Sequence, residues 1–303
     1  MKVSLAVATL GRPTLEDCIE SWLIQTHPID QIIIVADGRA AGENVQEMLK
    51  KYKANSDKFQ LIVNDVNLGA SASFNIAKSH ARNELIALTS DDDPWVPNKL
   101  ELQKSILEIE KLDLVLTGCY YKRKSKLIKR PRKVINPDTD PLLDVLKHRT
   151  LPWTSSKYLP MSSILFRKEI NKINFDETLK GYEDFWWLHE VFVSGFKIKQ
   201  VSEPLIFVNV NLFRTNERIT QVEALFSEKL NKLNPFLAKR FLASHLIRSE
   251  IYSGNIINVA RLHFASLRFK KDNVLDVLEF SWQLIATVLI FISKKLRKLS
   301  WIS

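Results

Sequence analysis

Two rhythms of apolar and polar positions alternate along the first ninety residues. Residues 3–9 form a short, nearly unbroken apolar run, which reads as a strand buried on both faces. Leu15, Cys18, Ile19, Trp22 and Leu23 then recur at helical spacing, with Thr14 placed to cap that helix and Asp17 three residues on. Residues 31–36 are apolar and β-branched, and this second strand ends at Asp37-Gly38. The cycle repeats with a helix over 43–52, an extended run over 59–63, a helix over 71–81 and a strand over 85–89 that ends in Ser90 and three aspartates.

Strands alternating with helices predict βαβ units: an α/β domain with a Rossmann-like, mostly parallel sheet and flanking helices. Ligands of such sheets sit outside the carboxyl ends of the strands, where Asp37 and Asp91 to Asp93 are expected. Further along, residues 114–121 and 161–167 read as strands, 122–133 as a basic hairpin or loop, and 183–194 as an aromatic-rich helix. Beyond about residue 215 glycines thin out and amphipathic helices dominate. The expected organisation is a catalytic-type domain over 1–215 and a helical, basic-tailed segment over 216–303, without internal repeats.

Composition narrows the class. With 46% hydrophobic and 26% charged residues in 303, the chain is an ordinary globular one. Its two cysteines, Cys18 and Cys119, have no metal-type spacing and point to a reducing compartment without a disulfide framework. No charged n-region followed by an apolar h-region opens the sequence, so no signal peptide is expected. The net charge of +10 calls for anionic partners without choosing among nucleotides, an anionic membrane face and nucleic acid.

Asp91, Asp92 and Asp93 follow an apolar strand and precede Pro97. Adjacent carboxylates repel, and packing requires none of them there. A divalent cation bridging a diphosphate offsets that repulsion, since Mg²⁺ is typically held by one or two carboxylates plus phosphate oxygens. A solvated turn with helix-capping acids is the plainer alternative.

With these elements in order, the chain resembles the family-2 glycosyltransferases, whose catalytic domain has the GT-A fold. The likeness covers about the first two-thirds of the sequence. It is carried by residues 3–9 with Arg12-Pro13, residues 21–26 ending in Gln25-Thr26, residues 33–38 ending in Asp37-Gly38, Asn67-Leu68-Gly69 through Asn75 and Arg82, residues 90–97 as the DXD element, and Phe175-Asp176-Glu177 with Gly181-Tyr182-Glu183-Asp184. The resemblance implies an inverting, metal-dependent transferase using a nucleotide-sugar and Mn²⁺ or Mg²⁺. It puts Thr9, Arg12, Asp37, Arg82 and Asp91 on the nucleotide and Asp92 and Asp93 on the metal. Asp184 becomes the catalytic base, supported by Glu183. Such chemistry is coherent: a metal neutralises the departing diphosphate, and a carboxylate takes the acceptor's proton in one in-line displacement. Ala36 and Ser90 stand where the family's pattern has acids, which leaves the register of ribose and metal ligands open and widens the choice of donor beyond uridine.

Tyr182 and Trp153 are candidates to stack on an acceptor sugar, and Ser162 to hydrogen-bond it, with core packing and capping as the alternatives. Eight basic residues fall within 122–133 without an acid, and an apolar run over 284–292 precedes a basic run over 294–298. That tail is too short to span a bilayer. It predicts peripheral attachment to an anionic inner membrane face, or a homo-oligomer surface. A dehydrogenase is excluded by the absence of a Gly-rich turn after the first strand. Nucleic acid is not an expected partner, since no binding motif accompanies the charge. The remaining alternatives are a silent nucleotide-binding scaffold and a basic nucleic-acid binder. Surface polysaccharide synthesis on a saccharide or lipid-linked acceptor, at the cytoplasmic face of the membrane, is the setting the resemblance implies.

Overall fold

The structure, a computed structural model, describes residues 1–123, 126–147, 149–151, 154–155, 159–209, 216–235, 237–238 and 241. The chain divides into two compact units: Met1–Asp144 with Lys157–Leu212, and Val145–Ser156 with Phe213–Ser303. A short segment from the middle of the chain belongs to the second unit.

In the first unit the elements run β1 (Val3–Thr9), α1 (Thr14–Leu23), β2 (Gln31–Ala36), α2 (Arg39–Leu49), β3 (Phe59–Val63), α3 (Ala70–Ser79), β4 (Leu85–Ser90), α4 (Lys99–Ile109), β5 (Leu114–Arg123) and β6 (Lys126–Arg130). Then come α5 (Pro141–Lys147), which runs into the second unit's β7 (Arg149–Leu151) and β8 (Thr154–Ser155), and the first unit's β9 (Leu165–Arg167), α6 (Glu183–Val193) and β10 (Ile198–Asn209). Among the described residues one sheet has the order β10-β5-β9-β4-β1-β2-β3, with β6 alongside β5. β9 is antiparallel to β4 and β5, whereas β1, β2, β3 and β4 are mutually parallel.

The register explains why those apolar runs are strands. Val3, Leu5, Ala6, Val7, Ile32, Ile33, Ile34, Leu85, Ile86 and Leu88 are all fully buried, so both faces of the central strands are covered. Burial of each such side chain stabilises by roughly 1.5–3 kcal/mol. On one face Trp22 of α1 meets Trp95 edge-on, with ring centroids 6.3 Å apart. On the side nearer α6, Phe175 stacks on Trp187 at 4.9 Å and tilts against Phe74 of α3 at 5.6 Å. Both cysteines are free and buried, and burial pushes the Cys119 thiol up to about 12.

Local details differ from the sequence reading for identifiable reasons. Thr14 does not cap α1: its place is inside the helix, Pro13 already has helical dihedrals, and no side chain caps the end. Residues 161–163 form a 3₁₀ turn, leaving only Leu165–Arg167 as strand. The 43–52 helix begins earlier, at Arg39, and gives way to a 3₁₀ stretch from Lys50. The basic segment is a hairpin, with Tyr121 opposite Ile128 and Tyr120 opposite Lys129.

In the second unit β7 and β8 pair antiparallel. There α7 (Asn216–Leu233) presents Phe226 edge-on to Phe241 at 5.0 Å, and Ser227 Oγ donates to the Ala238 carbonyl. No helix among the described residues is long and apolar enough to cross a membrane. The apolar and basic tail over 284–298 lies outside the described residues, as does Trp153.

Candidate functional site

The sheet itself marks the site. From β1 the chain moves outward through β2 and β3, then returns to place β4 on the other side of β1. The carboxyl ends of β1 and β4 therefore flank the switch in strand order, where open α/β sheets bind ligands. Ala8 is level with Ser90, so Thr9 and Asp91 emerge side by side.

Thr9 Oγ1 donates to Asp91 Oδ2 at 2.6 Å, and the Leu10 amide adds a longer bond to the same oxygen at 3.2 Å. The Gly11 amide in turn donates to Thr9 Oγ1 at 2.8 Å. Gly11 turns the chain here with φ +68°, and a Cβ would lie 2.8 Å from the Ala41 carbonyl oxygen, so only glycine fits. The turn delivers Arg12, whose Nη2 lies 2.8 Å from Asp91 Oδ1 and whose Nη1 lies 2.9 Å from Asp92 Oδ2.

The three aspartates sit in the turn that follows β4, and their side chains point in different directions. Asp91 is fully buried against Thr9. The Asp92 side chain keeps 23% exposure and is the most open of the three. Asp93 turns inward: its Oδ2 accepts from Ser162 Oγ at 2.7 Å and lies 3.2 Å from Ser90 Oγ. Burial pushes the Asp93 carboxyl up to about 7, against the opposing hydrogen bond from Ser162. Ser90 Oγ also reaches Asp92 Oδ1 at 2.9 Å, so its single proton serves one carboxylate at a time.

Asp93, expected on a metal, is thus engaged with Ser162 and Ser90, and Ser162, expected on an acceptor, is fully buried and serves Asp93.

Asp37 ends β2 on the same edge, and both its oxygens are taken. Oδ1 accepts from Asn64 Nδ2 at 2.9 Å and from the Leu68 amide at 2.8 Å, and Oδ2 accepts from the Gly69 amide at 2.9 Å. Its visible work is to fix the loop that leads into α3. Arg82 departs furthest from expectation. It precedes β4, at the amino end of the strand, where its amide donates to Gln31 Oε1 at the start of β2. It is exposed at the opposite edge of the sheet from the aspartates, so it does not join the nucleotide side.

The second wall comes from residues 175–184. Asn75 of α3 clamps Phe175, donating to its carbonyl at 2.9 Å and accepting from its amide at 2.8 Å. Lys180 Nζ reaches the Leu68 carbonyl at 3.5 Å, tying this segment to the loop held by Asp37. Tyr182 enters α6 with a left-handed backbone, φ +62°, and Glu183 and Asp184 form the first turn. All three are half-buried. Asp184 Oδ1 accepts from the Phe185 amide at 2.9 Å, and the helix start favours its negative charge.

Thr9, Arg12, Asp91 and Asp92 are thus gathered into one cluster, with Asp37 and residues 182–184 carried on neighbouring loops of the same edge. Sequence reasoning missed Ser90 as a partner of two carboxylates, Asn64 on Asp37, and Lys180. Polar residues in loops carry no periodic signal that reveals such contacts.

Comparison with known proteins agrees with the geometry. The profile of Glycosyl transferase family 2 matches residues 4–173, more than half of the chain. An uncharacterized glycosyltransferase of Methanocaldococcus jannaschii, MJ1057, is 27% identical over 207 residues, 67% of this chain and 69% of that protein. The putative colanic acid biosynthesis glycosyl transferase WcaA of Escherichia coli is 34% identical over 101 residues, 33% of this chain and 36% of its own. The putative teichuronic acid biosynthesis glycosyltransferase TuaG of Bacillus subtilis is 28% identical over 108 residues, 36% of this chain and 42% of its own. Among solved structures, S. aureus TarS 1-349 with UDP-GlcNAc superposes with a TM-score of 0.59 at 18% identity, covering 96% of this chain and 81% of that one. The mannosyltransferase PcManGT of Pyrobaculum calidifontis, with GDP-Man and Mn²⁺, gives 0.56 at 17% identity, covering 97% and 88%. These likenesses establish the GT-A fold, and the extent of the profile match shows that this chain belongs to glycosyl transferase family 2.

Proposed function

We propose that the chain transfers a sugar, with inversion, from a nucleoside-diphosphate sugar to a hydroxyl of a saccharide or lipid-linked acceptor. The observation that carries this reading is the Thr9–Arg12–Asp91–Asp92 cluster at the switch in strand order. A divalent ion fits the donor chemistry there in one way only. Among the described residues no three His, Cys, Asp or Glu side chains converge, so the ion needs diphosphate oxygens beside Asp92. When bound, Mn²⁺ or Mg²⁺ supplies Lewis acidity to the departing diphosphate.

The chain's own residues do the rest. Asp91, held by Thr9, offers a buried carboxylate toward the ribose. Arg12 brings positive charge to the diphosphate. Asp184 takes the proton of the attacking hydroxyl, and Glu183 and Tyr182 shape the acceptor side. Asp37 shapes the base pocket through the Leu68–Gly69 loop it fixes. Uridine is the favoured base, supported by the UDP complexes of TarS. The setting is surface polysaccharide synthesis, supported by the relatives assigned to colanic and teichuronic acid biosynthesis. Peripheral attachment to the inner membrane face rests on the sequence of residues 284–298.

The test is release of nucleoside diphosphate from UDP-, GDP-, CDP- and dTDP-sugars with polyprenyl-linked saccharides as acceptors, with the anomeric configuration of the product read by NMR. One donor class is consumed and the product anomer is inverted; Asp184→Asn abolishes turnover while nucleotide binding persists. A retained configuration, or an active Asp184→Asn, contradicts the assignment. A silent nucleotide-binding scaffold is the second reading, favoured by the engagement of both Asp37 oxygens within the protein. Binding without turnover of any donor selects it.

A further inference from the structure

Arg12 does more than sit near a diphosphate site. Its two terminal nitrogens bridge consecutive carboxylates, at 2.8 Å to Asp91 and 2.9 Å to Asp92. The other Asp91 oxygen is filled by Thr9 and Leu10, and the other Asp92 oxygen by Ser90. The protein therefore supplies its own cation at the point where its acids are closest together. Without that cation a fully buried Asp91 carboxylate would stand beside Asp92 without the charge that Arg12 sets against their repulsion. Yet the guanidinium's Nε makes no hydrogen bond, and the side chain keeps 41% exposure, so no hydrogen bond from Nε holds it against leaving the carboxylates. Asp93 is turned into Ser162 and cannot help a free ion displace it.

We propose that Arg12 is an internal counter-cation that makes metal binding conditional on the nucleotide. This rests on the reading of Asp92 as the metal carboxylate. A free divalent ion competes with the guanidinium for Asp92 and, among the described residues, finds no set of three protein ligands. A nucleoside diphosphate changes the balance twice. It contributes oxygens of its own, and it gives Arg12 another anion to pair with, bidentately, as guanidinium groups do with phosphate. The chain thereby avoids holding a bare ion, and nucleotide departure restores the Arg12 bridge.

The test measures Mn²⁺ binding to the whole chain by the electron paramagnetic resonance signal of free Mn²⁺, with and without UDP, GDP, CDP or dTDP. Wild type binds Mn²⁺ alone weakly, and one nucleotide tightens it on the order of tenfold or more. Arg12→Gln binds Mn²⁺ alone on the order of tenfold more tightly than wild type, and the nucleotide's tightening shrinks by a similar factor. Arg12→Gln without metal also melts below wild type, and Mn²⁺ restores it, whereas Mn²⁺ alone leaves the wild-type midpoint unmoved. Arg12→Lys, which keeps the charge but cannot bridge two carboxylates with a planar fork, falls between the two and serves if the Gln variant does not fold. If wild type binds Mn²⁺ with nucleotide but neither variant binds Mn²⁺ alone more tightly, the counter-cation role is overturned and the metal site stands. If wild type binds no Mn²⁺ with any nucleotide, both fall.

Discussion

Replacing Asp37 separates a structural carboxylate from a ligand-binding one. Three donors end on it: Asn64 Nδ2 and the amides of Leu68 and Gly69, all within 2.9 Å. The side chain is buried, at 7% exposure, so water does not substitute for it in the native state. A hydrogen bond to a charged group contributes about 1.5–3 kcal/mol, which puts the gross loss in Asp37→Ala at several kcal/mol. The loop relaxes part of that loss, because Leu68 is 41% exposed and its neighbours reach solvent, so a freed amide can turn to water. We expect a net cost of about 2–4 kcal/mol for Ala. For Asn the cost is about 1–3 kcal/mol, since one oxygen remains while the new amide faces an N–H donor. At roughly 2 °C per kcal/mol for a chain of this size, Asp37→Ala lowers the melting midpoint by about 4–8 °C. Hydrogen exchange at Leu68 and Gly69 accelerates selectively in the same variant. The assay is thermal and urea unfolding followed by circular dichroism, with exchange read by mass spectrometry. An unchanged midpoint with unchanged exchange, accompanied by loss of nucleotide affinity, would refute the structural assignment and return Asp37 to the base.

Other positions give independent checks. A Cβ on Gly118 would lie 2.6 Å from the Ser202 carbonyl oxygen, 2.7 Å from that of Arg130 and 3.1 Å from that of Glu203. Gly118→Ala must therefore push β6 and β10 away from β5, at a cost of about 3 kcal/mol or more in urea unfolding; a change below about 0.5 kcal/mol rejects the close approach. Lys78 is buried, bonded to the Ile173 carbonyl and set over Phe175 and Trp187, and burial lowers it to about 7. An unfolded lysine holds its proton to about pH 10.4, so between pH 7 and 10 the unfolded chain binds the extra proton and stability rises with pH, by up to about 1.4 kcal/mol per unit. Below pH 7 both states are charged and the contribution is flat. Lys78→Met removes this slope, so wild type gains on the variant from pH 7 to 9; parallel stability curves would show that burial does not depress Lys78.

The parts of the fold legible in the sequence are those where burial dictates composition. β1, β2 and β4 are covered on both faces, so their apolar runs announce them, and the acids that end them stand out against that background. β9 was harder to read because its three residues follow directly on a 3₁₀ turn and pair antiparallel, which no crossover pattern signals. Ser90 to Asp93 were visible as a charged cluster, but composition does not say which way each side chain turns. The turn after β4 sends Asp91 to Thr9 and Asp93 to Ser162, and leaves Asp92 the most open. Arg82 shows a different limit: motif order places a residue along the chain, whereas its edge of the sheet depends on whether it comes before or after the strand. The tie between Asp37 and the loop at Leu68 joins residues whose backbone atoms carry the contact, so side-chain chemistry does not advertise it.

The most direct test of the account is calorimetric titration of UDP, GDP, CDP and dTDP into the full chain, with and without Mn²⁺, for wild type and Asp92→Ala. The account predicts that one nucleotide binds wild type with a strong dependence on Mn²⁺, and that Asp92→Ala retains its fold while losing the metal-dependent part. Binding that ignores both Mn²⁺ and Asp92, or no binding of any nucleotide to wild type, would contradict the placement of the donor site at the ends of β1 and β4.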